Sequence, residues 1–273
     1  MLDFRPQLRL PRGGRRVATP YGVRPLVIVP TYNERRNLPT LVAGLLEIPN
    51  ARVLVVDDGS PDGTGALADE LAAGSNGRIS VLHRTGPRGL GRAYLDGIAQ
   101  ALQTDADVIC QMDADLSHRP RDLVAMLAAA KDADLVIGSR YVPRGRIVNW
   151  PLRRRLLSAG ANRYVRWICS IAVRDCTSGF RCWKRETLAA LPLHRIDSEG
   201  YAFLVQLLWE AVRSGCAISE VPITFVERKF GASNLRLPIL VESAVLPWRL
   251  VLSRVPVTPY PEGTSRGSSS AVR

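Results

Sequence analysis

The chain has 273 residues, 46% of them hydrophobic, and is long enough to bury a substantial core in one large domain. Its formal charge of +12 comes almost wholly from arginine and favours polyanionic partners, unless it reflects a genomic bias towards arginine codons. The five cysteines are odd in number and include no CxxC pair, which argues against a disulfide framework or a structural zinc site and is typical of the reducing cytosol.

The sequence pattern of the first part of the chain predicts a disordered N-terminal segment followed by an α/β domain. Residues 1–24 carry six arginines and little apolar periodicity, which predicts a disordered basic arm. Short apolar runs then alternate with helix-period segments, a pattern typical of a mostly parallel sheet with helices on both faces, in a single domain. The predicted strands are Leu26–Val29, Val53–Val56, Ile79–Leu82, Val108–Met112 and Leu135–Ile137.

The pattern changes after Tyr141. We predict a long basic helix over Leu152–Ala172, a helix over Tyr201–Ser214 and a strand over Ala217–Val226. The catalytic domain is expected to span 25–235, followed by an amphipathic helix within 236–254 and a disordered tail over 255–273. That last helix, Leu237–Leu252, either packs on the sheet or lies in a membrane interface.

No signal peptide is recognisable, and no stretch approaches the roughly 18 apolar residues of a spanning helix. We therefore expect a soluble or peripheral protein.

Polar residues follow four of the predicted strands, at the point where each strand ends. Because ligands bind outside the carboxyl ends of parallel strands, these residues predict a binding site along one edge of the sheet. The four segments are Pro30-Thr31-Tyr32-Asn33-Glu34, Asp57-Asp58-Gly59-Ser60, Asp113-Ala114-Asp115 and Gly138-Ser139-Arg140-Tyr141.

Asp113 and Asp115 form the strongest candidate for a metal site. In an extended segment, residues two apart face the same side, so the two carboxylates repel each other unless a cation lies between them. Oxygen ligands with open positions for phosphate indicate Mg²⁺ or Mn²⁺.

The other strand ends predict nucleotide and phosphate contacts. Asp58 follows a buried strand and a ribose or base is its expected partner, whereas Asp62 is interpreted as a turn acid. Arg140 and Arg228 each offer a planar fork to phosphate. Neither a GxGxxG nor a P-loop motif is present.

Eight motifs then appear in the order known from one family. They are PTYNE, VVDDGSPDGT, GLGRAYLDG, MDADLSH, GSRY, NWPLRR, TSGFR and EVPITFVER. From about Arg24 to Asn234 the chain resembles the polyprenyl-phosphate (dolichol-phosphate) mannosyltransferases, within the family 2 glycosyltransferases.

The resemblance implies a GT-A fold and metal-dependent, inverting transfer of mannose from GDP-mannose to a polyprenyl monophosphate, giving polyprenyl-phosphate-mannose. It also implies roles for individual residues. Those expected at the nucleotide sugar are Pro30, Tyr32, Glu34, Val56, Asp58, Asp113, Ala114, Asp115, Arg140, Arg228 and Asn234, with Asp113, Asp115 and Arg140 acting in catalysis. Those expected at the acceptor phosphate are Arg153 and Ser158, and those expected at the metal are Asp113, Asp115 and Ser117.

The chain departs from the family pattern in two residues and in its C-terminal region. Asn234 stands where the family usually has lysine, and Ser117 where some relatives have a glutamine metal ligand, so both are expected to be weaker ligands. The spanning C-terminal helices of some relatives are missing. We therefore expect a peripheral protein on the cytoplasmic face, attached to the membrane surface by itself or through a separate membrane-embedded protein.

Two other functions compete with this interpretation. One is transfer of glucose or another hexose to the same lipid phosphate. The other is a basic, non-catalytic module that binds nucleic acid or membrane. The acids at the strand ends argue against nucleic acid, because carboxylates that face phosphate require a metal.

Overall fold

The computed structural model describes residues 22–228 and 237–253. Most of the predicted arm, the predicted tail over 255–273 and Asn234 lie outside these residues. The strands are β1 (Pro25–Thr31), β2 (Arg52–Asp57), β3 (Ile79–His83), β4 (Val108–Gln111), β5 (Leu135–Ser139), β6 (Arg146–Val148), β7 (Arg181–Lys184), β8 (Ile218–Pro222) and β9 (Thr224–Val226). The helices are α1 (Leu38–Leu46), α2 (Thr64–Ala73), α3 (Leu90–Ala101), α4 (Pro120–Ala129), α5 (Leu152–Cys169), α6 (Arg185–Ala190), α7 (Gly200–Arg213) and α8 (Leu237–Leu252).

Seven strands form the main sheet, in the order β3-β2-β1-β4-β7-β5-β8. All neighbours pair in parallel except at β7, which is antiparallel to both β4 and β5. β1, β2 and β4 are buried along nearly their whole length, as expected for strands that are covered on both faces. The predicted single α/β domain with a mostly parallel sheet is confirmed.

Helices cover both faces of this sheet, as the sequence predicts. On one face, α1, α2 and α4 share a hydrophobic core with alternate residues of the strands, such as Val27 and Val53. On the other face, α3, α5, α7 and α8 share a second core with the intervening residues, such as Ile28 and Leu54. Each fully buried aliphatic side chain of these cores contributes roughly 1.5–3 kcal/mol to folding.

The predicted strand over Ala217–Val226 is divided between two sheets. β8 pairs with β5 in the main sheet, whereas β9 pairs with β6 in a two-stranded sheet. Ile223 lies between them: its amide donates to Ser139 O at 3.0 Å and its carbonyl accepts from Arg146 N at 2.9 Å. Because Ile223 bonds to both partners, the chain passes from the main sheet to the small one and leads Arg228 towards the predicted site.

The helical predictions differ little from the structure. α5 ends at Cys169 rather than Ala172, because Ser170 adopts the left-handed conformation with φ 51°. α8 spans Leu237–Leu252 as predicted. No helix among residues 22–228 and 237–253 has the length and apolar character needed to cross a membrane.

Candidate active site

Three carboxylates from the ends of β1 and β4 lie close enough to influence each other. Burial raises the pKa of Glu34, and the charges of Asp115 and Asp113 raise it further. The hydrogen bond that Asn37 Nδ2 donates to Glu34 at 2.6 Å acts in the opposite direction and lowers this pKa. Burial also raises the pKa of Asp113, and the charge of Asp115 adds to the effect. The structure therefore brings Glu34, Asp113 and Asp115 together, as the strand-end pattern predicts.

Arg228 brings a positive charge to this cluster. Its Nε lies 3.6 Å from Oδ2 of Asp115, and its charge lowers the pKa of both Glu34 and Asp113. The chain segment is held in place because Val226 N donates to Ser117 O at 3.0 Å, while Ser117 N donates to Asp115 Oδ1 at 3.0 Å. Two of the predicted phosphate and metal residues, Arg228 and Ser117, thus lie beside Asp115.

Asp113 is held by buried neighbours. Tyr94 donates its hydroxyl to Oδ1 at 3.3 Å, and burial raises the pKa of Tyr94 well above its usual value. The Asp113 amide donates to His118 Nδ1 at 3.4 Å, and burial lowers the pKa of His118, which favours the neutral ring. A Cβ on Gly179 would lie 3.1 Å from Oδ1, so a larger residue there would press on this carboxylate and require it to shift by a few tenths of an ångström.

The close approach of α3 to the sheet places Tyr94 there. At Gly97, a Cβ would lie 2.6 Å from Cγ2 of Ile28, so a larger residue would push the helix away from β1. The GLGRAYLDG motif contains both Tyr94 and Gly97, but nothing in its spacing identifies Tyr94 as a partner of Asp113.

Asp58 is fully engaged by the loop that connects β3 to α3. One carboxylate oxygen accepts from Arg84 Nη1, and the other accepts from Gly89 N at 2.9 Å. Arg84 also donates to Asp96 at 2.7 Å, so it links Asp58 to α3. The role of Asp58 in nucleotide binding stays a prediction, and Arg84 is a neighbour of the site that the sequence analysis missed.

The remaining predicted nucleotide residues lie at the ends of β1 and β2. Tyr32 is 38% exposed and the Arg88 guanidinium lies 4.7 Å from its ring centre. Pro30 is half-buried in β1 opposite Val56. Since the Val56 side chain is fully buried in the core, only its backbone is available to a ligand.

Arg140 is paired with a buried acid that the sequence analysis did not identify. Its Nε and Nη2 donate to Asp175 at 2.8 and 2.7 Å, and Nη2 also donates to Thr177 at 2.9 Å. The side chains of Arg140 and Asp175 are only 5% and 0% exposed. The fork that was predicted to hold phosphate is thus filled by a carboxylate, and the catalytic role of Arg140 stays a prediction.

Arg153 and Ser158 do not form a common site in this structure. Arg153 is exposed on α5, whereas Ser158 is half-buried and accepts from the Tyr141 hydroxyl at 2.8 Å. Five helical positions separate them by about 140° around the helix axis. Arg154 instead faces the fold, where it donates to Glu227 at 3.0 Å and lies 4.0 Å from the Trp150 ring centre.

The donor set at Asp113 and Asp115 fits a hard divalent cation. Within residues 22–228 and 237–253, no group of three or more His, Cys, Asp and Glu residues is arranged to hold a metal. A pair suffices for Mg²⁺, which is usually held by one or two carboxylates together with substrate phosphates and water. A cation between the two would also offset the repulsion that raises the pKa of Asp113.

A family model described as glycosyl transferase family 2 matches residues 26–189. The chain belongs to glycosyltransferase family 2. It is therefore an enzyme, as the strand-end acids and the ordered motifs predict.

Curated relatives resemble this glycosyltransferase over most of their length. It is 50% identical to the polyprenol monophosphomannose synthase of Mycolicibacterium smegmatis over 214 residues, which cover 78% of this chain and 81% of that protein. It is 46% identical to the undecaprenyl-phosphate mannosyltransferase of Micrococcus luteus over 224 residues, which cover 82% and 92% of the two chains.

Solved structures support the fold. A mycobacterial protein matches with a TM-score of 0.62 at 18% identity, covering 88% of this chain and 78% of the other. Glucosyl-3-phosphoglycerate synthase from Mycobacterium tuberculosis, in complex with Mn²⁺, UDP-glucose and phosphoglyceric acid, matches with a TM-score of 0.58 at 20% identity, covering 84% and 78%. The predicted GT-A fold is confirmed by the family match and these structural neighbours.

Proposed function

We propose that this glycosyltransferase transfers mannose from GDP-mannose to a polyprenyl monophosphate, with inversion at the anomeric carbon. The observation that carries the proposal is the cluster of Glu34, Asp113, Asp115 and Arg228 at the carboxyl edge of the sheet. The names of the two curated relatives, at 50% and 46% identity, support mannose as the sugar and a polyprenyl phosphate as the acceptor.

Asp113 and Asp115 would hold Mg²⁺ or Mn²⁺ at the donor diphosphate, with Ser117 beside them. The Mn²⁺ in the complex of the structural neighbour supports a divalent metal. When bound, the metal supplies stabilisation of the negative charge that develops on the departing GDP. Arg228 lies against Asp115 and would contribute positive charge at the same phosphates.

The nucleoside of the donor would lie along the ends of β1 and β2. Tyr32 and Glu34 lie at the end of β1. Asp58 lies at the end of β2, where Arg84 donates a hydrogen bond to its carboxylate. Pro30, Ala114 and the Val56 backbone complete the proposed surface. Asn234 belongs to the same proposal on the strength of its motif alone, because it lies outside the described residues.

The acceptor needs no general base in this proposal. A phosphate monoester has a second pKa of about 6, so it is mostly a dianion at neutral pH. Its oxygen can therefore attack the anomeric carbon without first losing a proton to the enzyme. His118 is buried, and its pKa is lowered by that burial, which is consistent with a supporting role. Arg153 and Ser158 are proposed at the acceptor phosphate from the motif match alone, because they share no site in this structure. Arg140, whose fork binds Asp175, is proposed at the donor phosphates and in catalysis from the same match.

Attachment to the cytoplasmic face of the membrane would bring the enzyme to its lipid substrate. α5 and α8 pack together and present large apolar side chains to solvent, which is the composition of an interfacial surface. The most exposed of these are Leu152, Leu156, Leu157, Trp167, Val245, Trp248 and Leu252. A separate membrane-embedded anchor protein is the alternative means of attachment.

Thermal unfolding in the presence of nucleotide sugars tests the donor. With Mn²⁺ present, GDP-mannose at about 100 times its Kd should raise the midpoint by roughly 5–10 °C, since such binding stabilises by about 2.7 kcal/mol. UDP-glucose should have little effect. Stabilisation by UDP-glucose alone would contradict the mannose assignment and favour hexosyl transfer from a uridine donor.

A further inference from the structure

A cavity on one flank of α5 lies outside the proposed donor and acceptor residues. It has a volume of about 460 Å³. Among residues 22–228 and 237–253, six line it; three of these are arginines and none is acidic, so its potential favours an anion. The lining residues are Tyr141, Ala159, Asn162, Arg163, Arg166 and Arg174.

The floor of the cavity is ordered by hydrogen bonds. Asn162 Nδ2 donates to Ser158 O at 2.9 Å and to Thr177 Oγ1 at 3.1 Å, while its Oδ1 accepts from Cys176 N at 2.7 Å. The Tyr141 hydroxyl donates to Ser158 Oγ at 2.8 Å. These bonds fix the walls independently of a ligand, as a preformed site requires.

Arg166, which lines the cavity, has a buried side-chain nitrogen without a hydrogen-bond acceptor among the described residues. Arg166 Nε is buried and has no hydrogen-bond partner in the part of the chain that the structure describes. Leaving a buried donor unsatisfied costs about 1–3 kcal/mol, and more for a charged group. Because this atom is closed off from solvent, an anion oxygen would reach it only after a shift of the Arg166 side chain.

The acids next to the cavity are already engaged. Both oxygens of Asp175 accept from Arg140. Glu220 accepts from the backbone amides of Arg174 and Asp175 at 2.8 and 3.0 Å. These carboxylates therefore make contacts of their own and leave the cavity with a basic lining.

Apolar side chains continue the same stripe of α5. Leu152, Leu156, Ala159, Arg163 and Trp167 follow one another at intervals of three or four residues, which places them on one helix face. Leu156 and Trp167 are 64% and 76% exposed. A ligand with a phosphate in the cavity would thus find apolar surface on both sides of it along the helix.

We propose that this cavity binds the phosphate of an anionic membrane-lipid headgroup, while the exposed apolar residues of α5 enter the adjoining acyl region. The proposal rests on the proposed membrane attachment and goes beyond it, because it assigns a defined headgroup site. The lining residues of this site are none of the proposed donor and acceptor residues, and two of them, Tyr141 and Asn162, bond to Ser158. The exposed leucines and tryptophan on both sides of the cavity favour a lipid over a soluble phosphate.

Binding to vesicles tests the charge of the site. The full chain should bind phosphatidylcholine vesicles that contain phosphatidylglycerol more tightly than pure phosphatidylcholine vesicles. The double variant Arg163→Gln/Arg166→Gln should bind the anionic vesicles at least about tenfold more weakly. Arg121→Gln/Lys131→Gln removes the same charge from exposed positions around α4, on the opposite face of the sheet, and should change binding by less than about threefold.

A second pair of variants separates the cavity from diffuse charge. Ala159→Gln fills the cavity without changing the net charge and should also weaken binding to the anionic vesicles by about tenfold. Ala161→Gln makes the same change at an exposed position of the helix that does not line the cavity, and should leave binding unchanged. Binding by Ala159→Gln equal to that of the unaltered protein would overturn the proposal.

Two further measurements are needed. One distinguishes a lipid phosphate from a soluble phosphate, and the other tests whether the variants retain transferase activity. Calorimetric binding of inorganic phosphate that Ala159→Gln abolishes, with vesicle binding unaffected, would assign the cavity to a soluble phosphate and overturn the lipid site. Transfer to a short-chain polyprenyl phosphate in detergent should stay within about twofold for Arg163→Gln/Arg166→Gln and for both control variants, because none of them alters a proposed catalytic residue or a neighbour of Ser158 in the chain. Failure of the unaltered protein in that assay would contradict the proposed function and leave the vesicle result standing.

Discussion

The carboxylate of Asp113 illustrates how single residues prepare this site. Buried Tyr94 donates its hydroxyl to it, buried His118 Nδ1 lies 3.8 Å from its Oδ2, and burial raises its pKa. A charged group in such a place is maintained only when nearby groups or ligands compensate it. Arg228 and a metal with its phosphates supply that compensation in the proposed complex.

Replacing Asp115 by Asn tests the metal role with almost no change of shape. Loss of a residue that merely orients a ligand weakens metal affinity by about 10–100-fold, so loss of a ligand should exceed about 100-fold. Calorimetric titration of Mn²⁺ in the presence of GDP measures this. Asp132→Asn, at an exposed position after α4, should behave like the unaltered protein. Near-normal affinity in Asp115→Asn would refute the assignment.

The cysteines are predicted to resist alkylation in the native state. Burial raises the pKa of Cys169 to about 11 and that of Cys176 to about 12, so the reactive thiolate is scarce at pH 8. Reaction with iodoacetamide at pH 8 should be at least about 100-fold slower than in urea and should accelerate as the pH rises towards these values. Mass spectrometry of the two residues measures the rates. Equal native and unfolded rates would be inconsistent with the burial.

Individual site residues differ in how far the sequence could predict them. Asp113 and Asp115 follow a buried strand, and parallel strands place such residues at one edge. The partners of Arg140 and Asp58 were not predictable in this way. Asp175 is 35 positions from Arg140 and Arg84 is 26 from Asp58, so their contacts depend on the tertiary fold and on no local pattern.

At the scale of elements, the strands with continuous apolar runs were predictable and the short or charged ones were not. β7 consists of Arg181, Cys182, Trp183 and Lys184, and its charged ends conceal a strand in the middle of the sheet. β6 and β9 have three residues each, too few to show a period. The division of the predicted strand at Ile223 was also missed, because local sequence does not show which of two sheets a residue joins.

The buried pair of Arg140 and Asp175 connects the end of β5 to the chain that precedes β7. Asp175→Asn should lower the free energy of unfolding by about 3–5 kcal/mol, because it leaves a buried guanidinium without its counter-charge. Urea denaturation measures this. The matched control, Asp197→Asn, removes one partner of the exposed ion pair with Arg249 and should lower stability by no more than about 1 kcal/mol. Equal losses in both variants would show that Arg140 is compensated by other groups.

At the scale of the whole molecule, α5 and α8 pack together, and each exposes arginine and large apolar side chains. Leu156→Ser/Trp167→Ser should weaken binding to membranes by at least about tenfold, because each side chain contributes about 1.5–3 kcal/mol when buried in an apolar phase. Leu90→Ser, at an exposed leucine of α3, is the control and should leave binding unchanged. Sedimentation with vesicles measures the binding. Unchanged binding of the double variant would favour attachment through an anchor protein.

Salt separates the electrostatic and apolar components of the proposed membrane attachment. At about 1 M salt the Debye length falls to about 3 Å, so the contribution of the arginines should be lost while that of the apolar side chains persists. In fractionated cells, a large part of the protein should therefore leave the membrane in 1 M salt. Complete retention would show that charge has no share in the attachment.

The overall architecture was the most predictable level. The alternation of apolar runs and helical periods indicated the parallel sheet, and the order of the motifs indicated the family, which the match over 26–189 confirms. The surface was less predictable, since a helical period in α5 does not show which of its arginines face the cavity and which face solvent.

Formation of a mannosylated lipid by the purified protein tests the central claim most directly. With radiolabelled GDP-mannose, a polyprenyl phosphate and Mn²⁺ or Mg²⁺, the unaltered chain should produce a labelled lipid. Chelation of the metal or Asp115→Asn should reduce the rate by at least about 100-fold. No labelled lipid from the unaltered chain with either metal, or an unchanged rate in Asp115→Asn, would contradict the account.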